Sequence, residues 1–170
     1  YAEPLRTIAE LRKRMLQSTG TRFGSFTLLG ELSRGGMGSV QLALDERDPR
    51  TVELVVLKRP HQEGDARDKG RQQLFKQEIK VQAQLHHENV VRLSGHGESE
   101  GQPYATFELV DGLSLRQLGR LFAPHPLPRT IVLEIGVQVA TALDYVHCAK
   151  SEDGTPLDVV HRDVTPHNIL

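Results

Sequence analysis

Asp163 and Asn168 stand five residues apart in the segment HRDVTPHNIL, His161 to Leu170, with Pro166 between them. An Asp carboxylate can accept a proton from a hydroxyl. An Asn carboxamide oxygen can ligate Mg²⁺, a hard cation that takes oxygen ligands. Two further groups upstream suit the handling of anionic substrates. Lys58 closes the apolar run ELVVLK, and the stretch Ser33-Arg34-Gly35-Gly36-Met37-Gly38 is rich in glycine. Glycine lets backbone N–H groups approach a phosphate with no Cβ in the way. Taken singly, each has a plainer reading. An end-of-strand Lys usually snorkels, a glycine pair usually makes a turn, and a helical Glu such as Glu78 is usually solvated.

These residues need elements to hold them. The runs FTLLGEL and SVQLALD alternate as strands and flank the glycines, so the pattern predicts a β-hairpin with the glycines at its turn. A dinucleotide-binding glycine motif lies instead between a strand and a helix. ELVVLK predicts a third strand, residues 90–96 and 104–110 two more, and residues 72–85 a helix carrying Glu78 near its middle. Ser114 caps a short helix over 114–122, which the Pro-rich 123–128 ends. Residues 129–147 then predict a long helix with hardly a polar face, which must be buried nearly all round. Val159-Val160 and Ile169-Leu170 bracket the polar HRD segment as strand, loop, strand. At the other end, residues 4–17 predict an amphipathic helix from Leu5, Ile8, Leu11 and Met15, followed by a linker.

Composition excludes several classes. The chain has 170 residues with 21 Lys plus Arg against 22 Asp plus Glu, a balance that gives no reason to expect nucleic acid or a membrane surface as partner. The single Cys148 rules out an internal disulfide. No uninterrupted apolar run approaches the ~18 residues of a membrane span, and the first residues do not read as a signal peptide. Adjacent His86 and His87 project differently and do not make a zinc pair.

His161, Arg162, Asp163 and Asn168 match the H-R-D-x-x-x-x-N catalytic loop of protein kinases, and the rest of the chain supplies further kinase motifs in order. Gly35, Gly38 and Val40 resemble the later part of the kinase glycine-rich loop, with Ser33 where its first glycine stands. VVLK resembles the strand that carries the phosphate-binding lysine, and LHHENVVRL resembles the turn that follows the helix with the paired glutamate. The chain thus resembles a bacterial, Hanks-type serine/threonine protein kinase over roughly residues 23–170.

The resemblance implies an α+β, protein-kinase-like fold. Its N-lobe, 23–110, would be a five-stranded antiparallel sheet with one helix; 1–22 would precede it as helix and linker. Residues 111–170 would begin a helical C-lobe, truncated in a chain expected to be a fragment. It implies ATP and Mg²⁺ as cofactors, protein Ser/Thr hydroxyls as substrate and a cytoplasmic location. Asp163 would orient and deprotonate the hydroxyl, and Asn168 would hold Mg²⁺. Lys58, fixed by Glu78, would bind phosphates beneath Leu32, Ser33, Gly35, Gly36, Met37, Gly38 and Val40. Val56 would roof the adenine, Phe107 would close the pocket behind it, and Glu108 and Val110 would offer backbone groups to the base. Arg162 would brace the loop, and His161 would be structural. Thr165 stands where such kinases usually carry a Lys, a departure expected to lower the rate. The rival readings are a pseudokinase acting as a nucleotide-binding interaction module, and a small-molecule phosphotransferase. An Asp-Phe-Gly triplet beyond Leu170 would favour activity.

Overall fold

The computed structural model describes residues 20–35, 38–61 and 68–170. The expected helix over 4–17 and the hairpin tip at Gly36 and Met37 lie outside them. The described residues divide into two compact units. One comprises residues 20–83 with Arg92–Leu109, and the other comprises Gln84–Val91 with Val110–Leu170.

The first unit is built on an antiparallel sheet of six strands: β1 (Thr21–Phe23), β2 (Phe26–Gly35), β3 (Gly38–Asp45), β4 (Glu53–Arg59), β5 (Leu93–Ser99) and β6 (Gln102–Glu108). Their order across the sheet is β1-β2-β3-β4-β6-β5. Sequence periodicity anticipates five of these. The sixth, β1, falls in the expected linker because Phe23 turns back onto Phe26 through Gly24, whose φ of 54° lies in the left-handed region that favours glycine. Phe23 and Phe26 both bury against Tyr104, Ala43, Val55 and Leu57. Three aromatic rings therefore anchor this end of the sheet, with the Phe26 and Tyr104 centroids 4.9 Å apart.

Strand alternation sends the next side chains of β4 to the other face. Val56 pairs with Phe107, and Lys58 with Ala105. Phe107, Ala105 and Leu93 pack there with Phe75 and Ile79 of helix α1 (Asp68–Gln82), which starts and ends earlier than the 72–85 expected. Burying these two α1 side chains contributes roughly 1.5–3 kcal/mol each, and it fixes which side of α1 faces the sheet. Near the β3 end, Asp45 accepts three hydrogen bonds from the Arg47 guanidinium at 2.6–3.0 Å. Burial pushes the Asp45 carboxyl upward, but the bonds from Arg47 outweigh it and hold it below the usual carboxylate range.

The second unit contains α2 (Leu115–Phe122) and α3 (Arg129–Cys148). Ser114 caps α2 as the sequence suggests, and Gln117 completes a capping box by accepting from the Ser114 backbone N–H at 2.9 Å. Residues 84–91 attach to α3 through Tyr145. Its hydroxyl accepts from the His86 N–H at 2.7 Å, and its ring lies 5.0 Å from that of His87.

Two expectations need correction here. The long helix is not buried all round: only Val146 is buried, while Ile131, Val132, Leu133 and Val137 are exposed because nothing among the described residues covers them. Its 20 residues are also long and apolar enough to cross a membrane, by length and composition alone, because Glu134 and Asp144 are its only carboxylates. The second correction concerns the ends of the HRD segment. Val159-Val160 and Ile169-Leu170 form no strands. The Ile169 carbonyl accepts instead from the N–H of Leu115 at 2.8 Å, and that of Pro166 from the N–H of Arg116 at 2.9 Å. These are first-turn donors of α2 that have no partner within the helix, so helix and loop satisfy each other.

Candidate active site

In the sheet unit, the glycine hairpin is set by the β2–β3 register, in which Gly35 faces Gly38, Arg34 faces Ser39 and Ser33 faces Val40. Ser33 is therefore a strand residue rather than part of the turn. Leu32 and Ser33 are exposed, and Val40 is half-buried. A Cβ on Gly35 would meet nothing within 4 Å, leaving open space beside its backbone. Gly38 has no such freedom: an added Cβ would collide with the carbonyl of Arg59. The Gly35 carbonyl contacts His61 Nε2 at 2.7 Å, and Arg34 is paired with Glu31.

One strand further across, Lys58 faces Val40 in register. Its Nζ donates to Glu78 Oε1 at 2.5 Å and stands 5.9 Å from the centre of the Phe75 ring. Phe75 and Glu78 are three residues apart on α1, so both present themselves on one side of the helix. The buried Phe75 anchors α1 to the sheet, and that anchoring puts Glu78 within reach of Lys58. The structure thus joins two residues that the sequence separates by twenty positions. Beside them, Val56 and Phe107 form a cross-strand pair on the same face. The Glu108 N–H is committed to the Arg92 carbonyl at 3.1 Å, and its side chain accepts from the Arg92 N–H at 2.7 Å. The Glu108 N–H is thus already engaged.

In the second unit, the HRD segment is an irregular loop closed by its own side chains. Asn168 Nδ2 donates to Asp163 Oδ2 at 2.8 Å and to the Asp163 carbonyl at 3.0 Å. The Asn168 N–H donates to the Thr165 carbonyl at 2.9 Å, which makes the tight turn around Pro166. The Asp163 N–H meets His161 Nδ1 at 3.3 Å. Arg162 has φ of 61°, a conformation that costs a non-glycine residue of order 1–3 kcal/mol. That strain sits one residue before Asp163 and turns the chain there.

With Nδ2 spent on Asp163, the carboxamide oxygen of Asn168 is left with no hydrogen bond among the described residues, as is Asp163 Oδ1. The Asn168 oxygen is the type of donor a hard divalent cation takes, and Asp163 Oδ1 is the type of acceptor a hydroxyl proton needs. The open backbone at Gly35 and the ammonium of Lys58 match the charge and bulk of a polyphosphate. Val110 is exposed, and its carbonyl accepts from the Gly112 N–H at 3.0 Å. The Thr165 hydroxyl makes no hydrogen bond among the described residues.

Sequence reasoning missed Arg116 and His167. The Arg116 guanidinium contacts His167 Nε2 directly, so a side chain of α2 reaches the residue preceding Asn168. The signal that could have found it is a stretch from Gly112 to Leu133 with three arginines and no carboxylate.

The profile of the family described as protein kinase domain matches residues 26–170 of this chain. Among curated relatives, the serine/threonine-protein kinase PknF of Mycobacterium tuberculosis is 37% identical over 151 residues, covering 89% of this chain and 29% of that protein. The tyrosine-protein kinase MasK of Myxococcus xanthus is 32% identical over 153 residues, covering 86% of this chain and 23% of that protein. The chain therefore spans under a third of either relative's length. Among solved structures, the PknI kinase domain of Mycobacterium tuberculosis superposes with a TM-score of 0.65 at 32% identity, over 89% of this chain and 56% of that one.

Proposed function

The chain belongs to the protein kinase domain family, and from that premise we propose that it transfers the γ-phosphoryl group of ATP to Ser and Thr hydroxyls of proteins. The observation that carries the reading is the Asn168 bond to Asp163 Oδ2. It leaves Oδ1 of the same carboxylate as the oxygen ready to receive a proton.

In this mechanism the substrate hydroxyl oxygen attacks the γ-phosphorus. A new O–P bond forms while the bond from that phosphorus to the bridging oxygen breaks, and ADP departs with the electron pair. The hydroxyl proton passes to Asp163. Lys58 holds phosphate oxygens, and Glu78 keeps its ammonium from swinging to other rotamers. The backbone at Gly35 and Gly38 covers the phosphates, and Val56 and Phe107 border the base. The backbone groups of Glu108 and Val110 other than the engaged Glu108 N–H and Val110 carbonyl face its edge. Asn168 would hold Mg²⁺ through its carboxamide oxygen, and the ion would supply positive charge to the phosphates. Thr165 supplies a hydroxyl donor where related kinases have a cation, so the γ-phosphate is less fully compensated here. ATP is a cytoplasmic nucleotide, and the proposed location of the domain is therefore the cytoplasm.

The test is incubation of the full-length protein with γ-labelled ATP and a generic protein substrate, followed by acid hydrolysis. Labelled phosphoserine and phosphothreonine are the expected products. Label found only in phosphotyrosine would overturn the hydroxyl assignment. No label at all, with nucleotide bound, would favour a nucleotide-binding interaction module.

A further inference from the structure

We propose that Arg116 and His167 form a subsite for a carboxylate side chain flanking the phosphoacceptor, so that this kinase selects acidic protein segments. The inference rests on the phosphoryl-transfer reading above.

The two residues belong to one unit and are both exposed. The backbone N–H of Arg116 donates to the Pro166 carbonyl at 2.9 Å, so α2 and the loop are fastened together where the pair meets. A guanidinium has no lone pair, so the imidazole Nε2 is the acceptor of the contact and the ring proton sits on Nδ1. The contact uses one of the five N–H donors of the guanidinium. The others remain, and no carboxylate among the described residues pairs with Arg116. A planar fork of spare donors, held still by an imidazole, suits a carboxylate better than a freely rotating cation would.

The surroundings strengthen the bias. Arg120 lies one turn along α2 from Arg116, and it too has no carboxylate partner among the described residues. From Gly112 to Leu133 the chain carries Arg116, Arg120 and Arg129 and not one Asp or Glu, although its overall charge is only −1. The positive character is thus local to the segment that touches the loop. His167 follows Asp163 by four residues, which a fully extended chain spans in at most about 14 Å. A substrate with its hydroxyl at Asp163 therefore brings side chains within about four residues of that hydroxyl into reach of the pair.

The experiment measures kcat/KM of the full-length protein on three peptides that differ only in flanking residues: Glu, Ala or Lys within four positions of one Ser or Thr. The wild type should prefer the Glu peptide over the Ala peptide by about three- to tenfold, the range between an exposed ion pair and a charge-assisted hydrogen bond. Arg116→Glu should reverse the order of the Glu and Lys peptides, and Arg116→Lys should keep the wild-type order. A reversal of preference is something a merely structural role for Arg116 does not produce. Should Arg116→Glu fail to fold, the wild-type preference measured in 0.5 M salt decides, since it must shrink with screening. Equal rates on the Glu and Lys peptides, or a preference indifferent to both charge reversal and salt, would overturn the subsite and leave phosphoryl transfer standing. No transfer to any peptide while nucleotide still binds would overturn the transfer reading, and the subsite with it.

Discussion

Replacing Glu78 with Gln separates a catalytic role for the Lys58–Glu78 pair from a structural one. The ions are 2.5 Å apart, yet about half of the Glu78 side chain is exposed. Coulomb's law gives roughly 7 kcal/mol at that distance for an effective dielectric of 20, and under about 2 kcal/mol in water. Solvent screening and side-chain ordering reduce such partly exposed pairs to a net ~0.2–1 kcal/mol. Glu78→Gln should therefore lower the melting temperature by no more than about 4 °C in a domain of this size. The effect on transfer is larger. Without its carboxylate partner, Lys58 must be ordered by the nucleotide itself, at a cost of up to ~2 kcal/mol of rotamer freedom. That corresponds to roughly thirtyfold in rate. Thermal melts by circular dichroism and initial rates with labelled ATP, on the same preparation, measure both quantities. A melting temperature lowered by more than 10 °C with unchanged rate per folded molecule would refute the reasoning and make the pair a structural tie.

Three further outcomes follow from the same geometry. Lys58→Met should weaken ATP binding about tenfold or more by titration calorimetry, because it removes the one ammonium on that face of β4; equal affinity would assign the phosphates elsewhere. Thr165→Lys restores a cation beside the transferred group and should raise the rate, by up to ~10² if the γ-phosphate charge is under-compensated; a rate unchanged or lower would show that the charge is already balanced. Asp45 is held below the usual carboxylate range, so its bond to Arg47 stabilises the fold above about pH 4 and is lost as pH falls through the lowered value. Urea unfolding should find wild type more stable than Asp45→Asn at pH 7, with the gap closing below about pH 4; a gap that widens in acid would contradict the assignment.

Much of the site was legible because its residues sit in locally coded elements. Gly35, Gly38 and Lys58 are placed by strand alternation and hairpin chemistry, and Ser114 announces the start of α2. Other features depend on contacts that periodicity does not encode. Strand β1 exists because Phe23 finds the Phe26–Tyr104 cluster, a long-range packing event. The HRD segment reads as strand, loop, strand because its flanks are apolar, but the carbonyls of Pro166 and Ile169 are claimed by the first turn of α2. The Arg116–His167 contact joins residues fifty-one positions apart, with no spacing rule to reveal it. The apolar faces of α3 identify a helix without identifying what covers it.

The most direct test of phosphoryl transfer through this loop is Asp163→Asn in the full-length protein, with nucleotide affinity and phosphate incorporation measured side by side. The substituted side chain keeps the size and one acceptor oxygen, so the bond from Asn168 can persist while the proton acceptor and its negative charge are lost. The account predicts ATP affinity within about twofold of wild type and a transfer rate lower by roughly 10²–10⁴, the contribution of a positioned general base. Wild-type transfer by Asp163→Asn would contradict it.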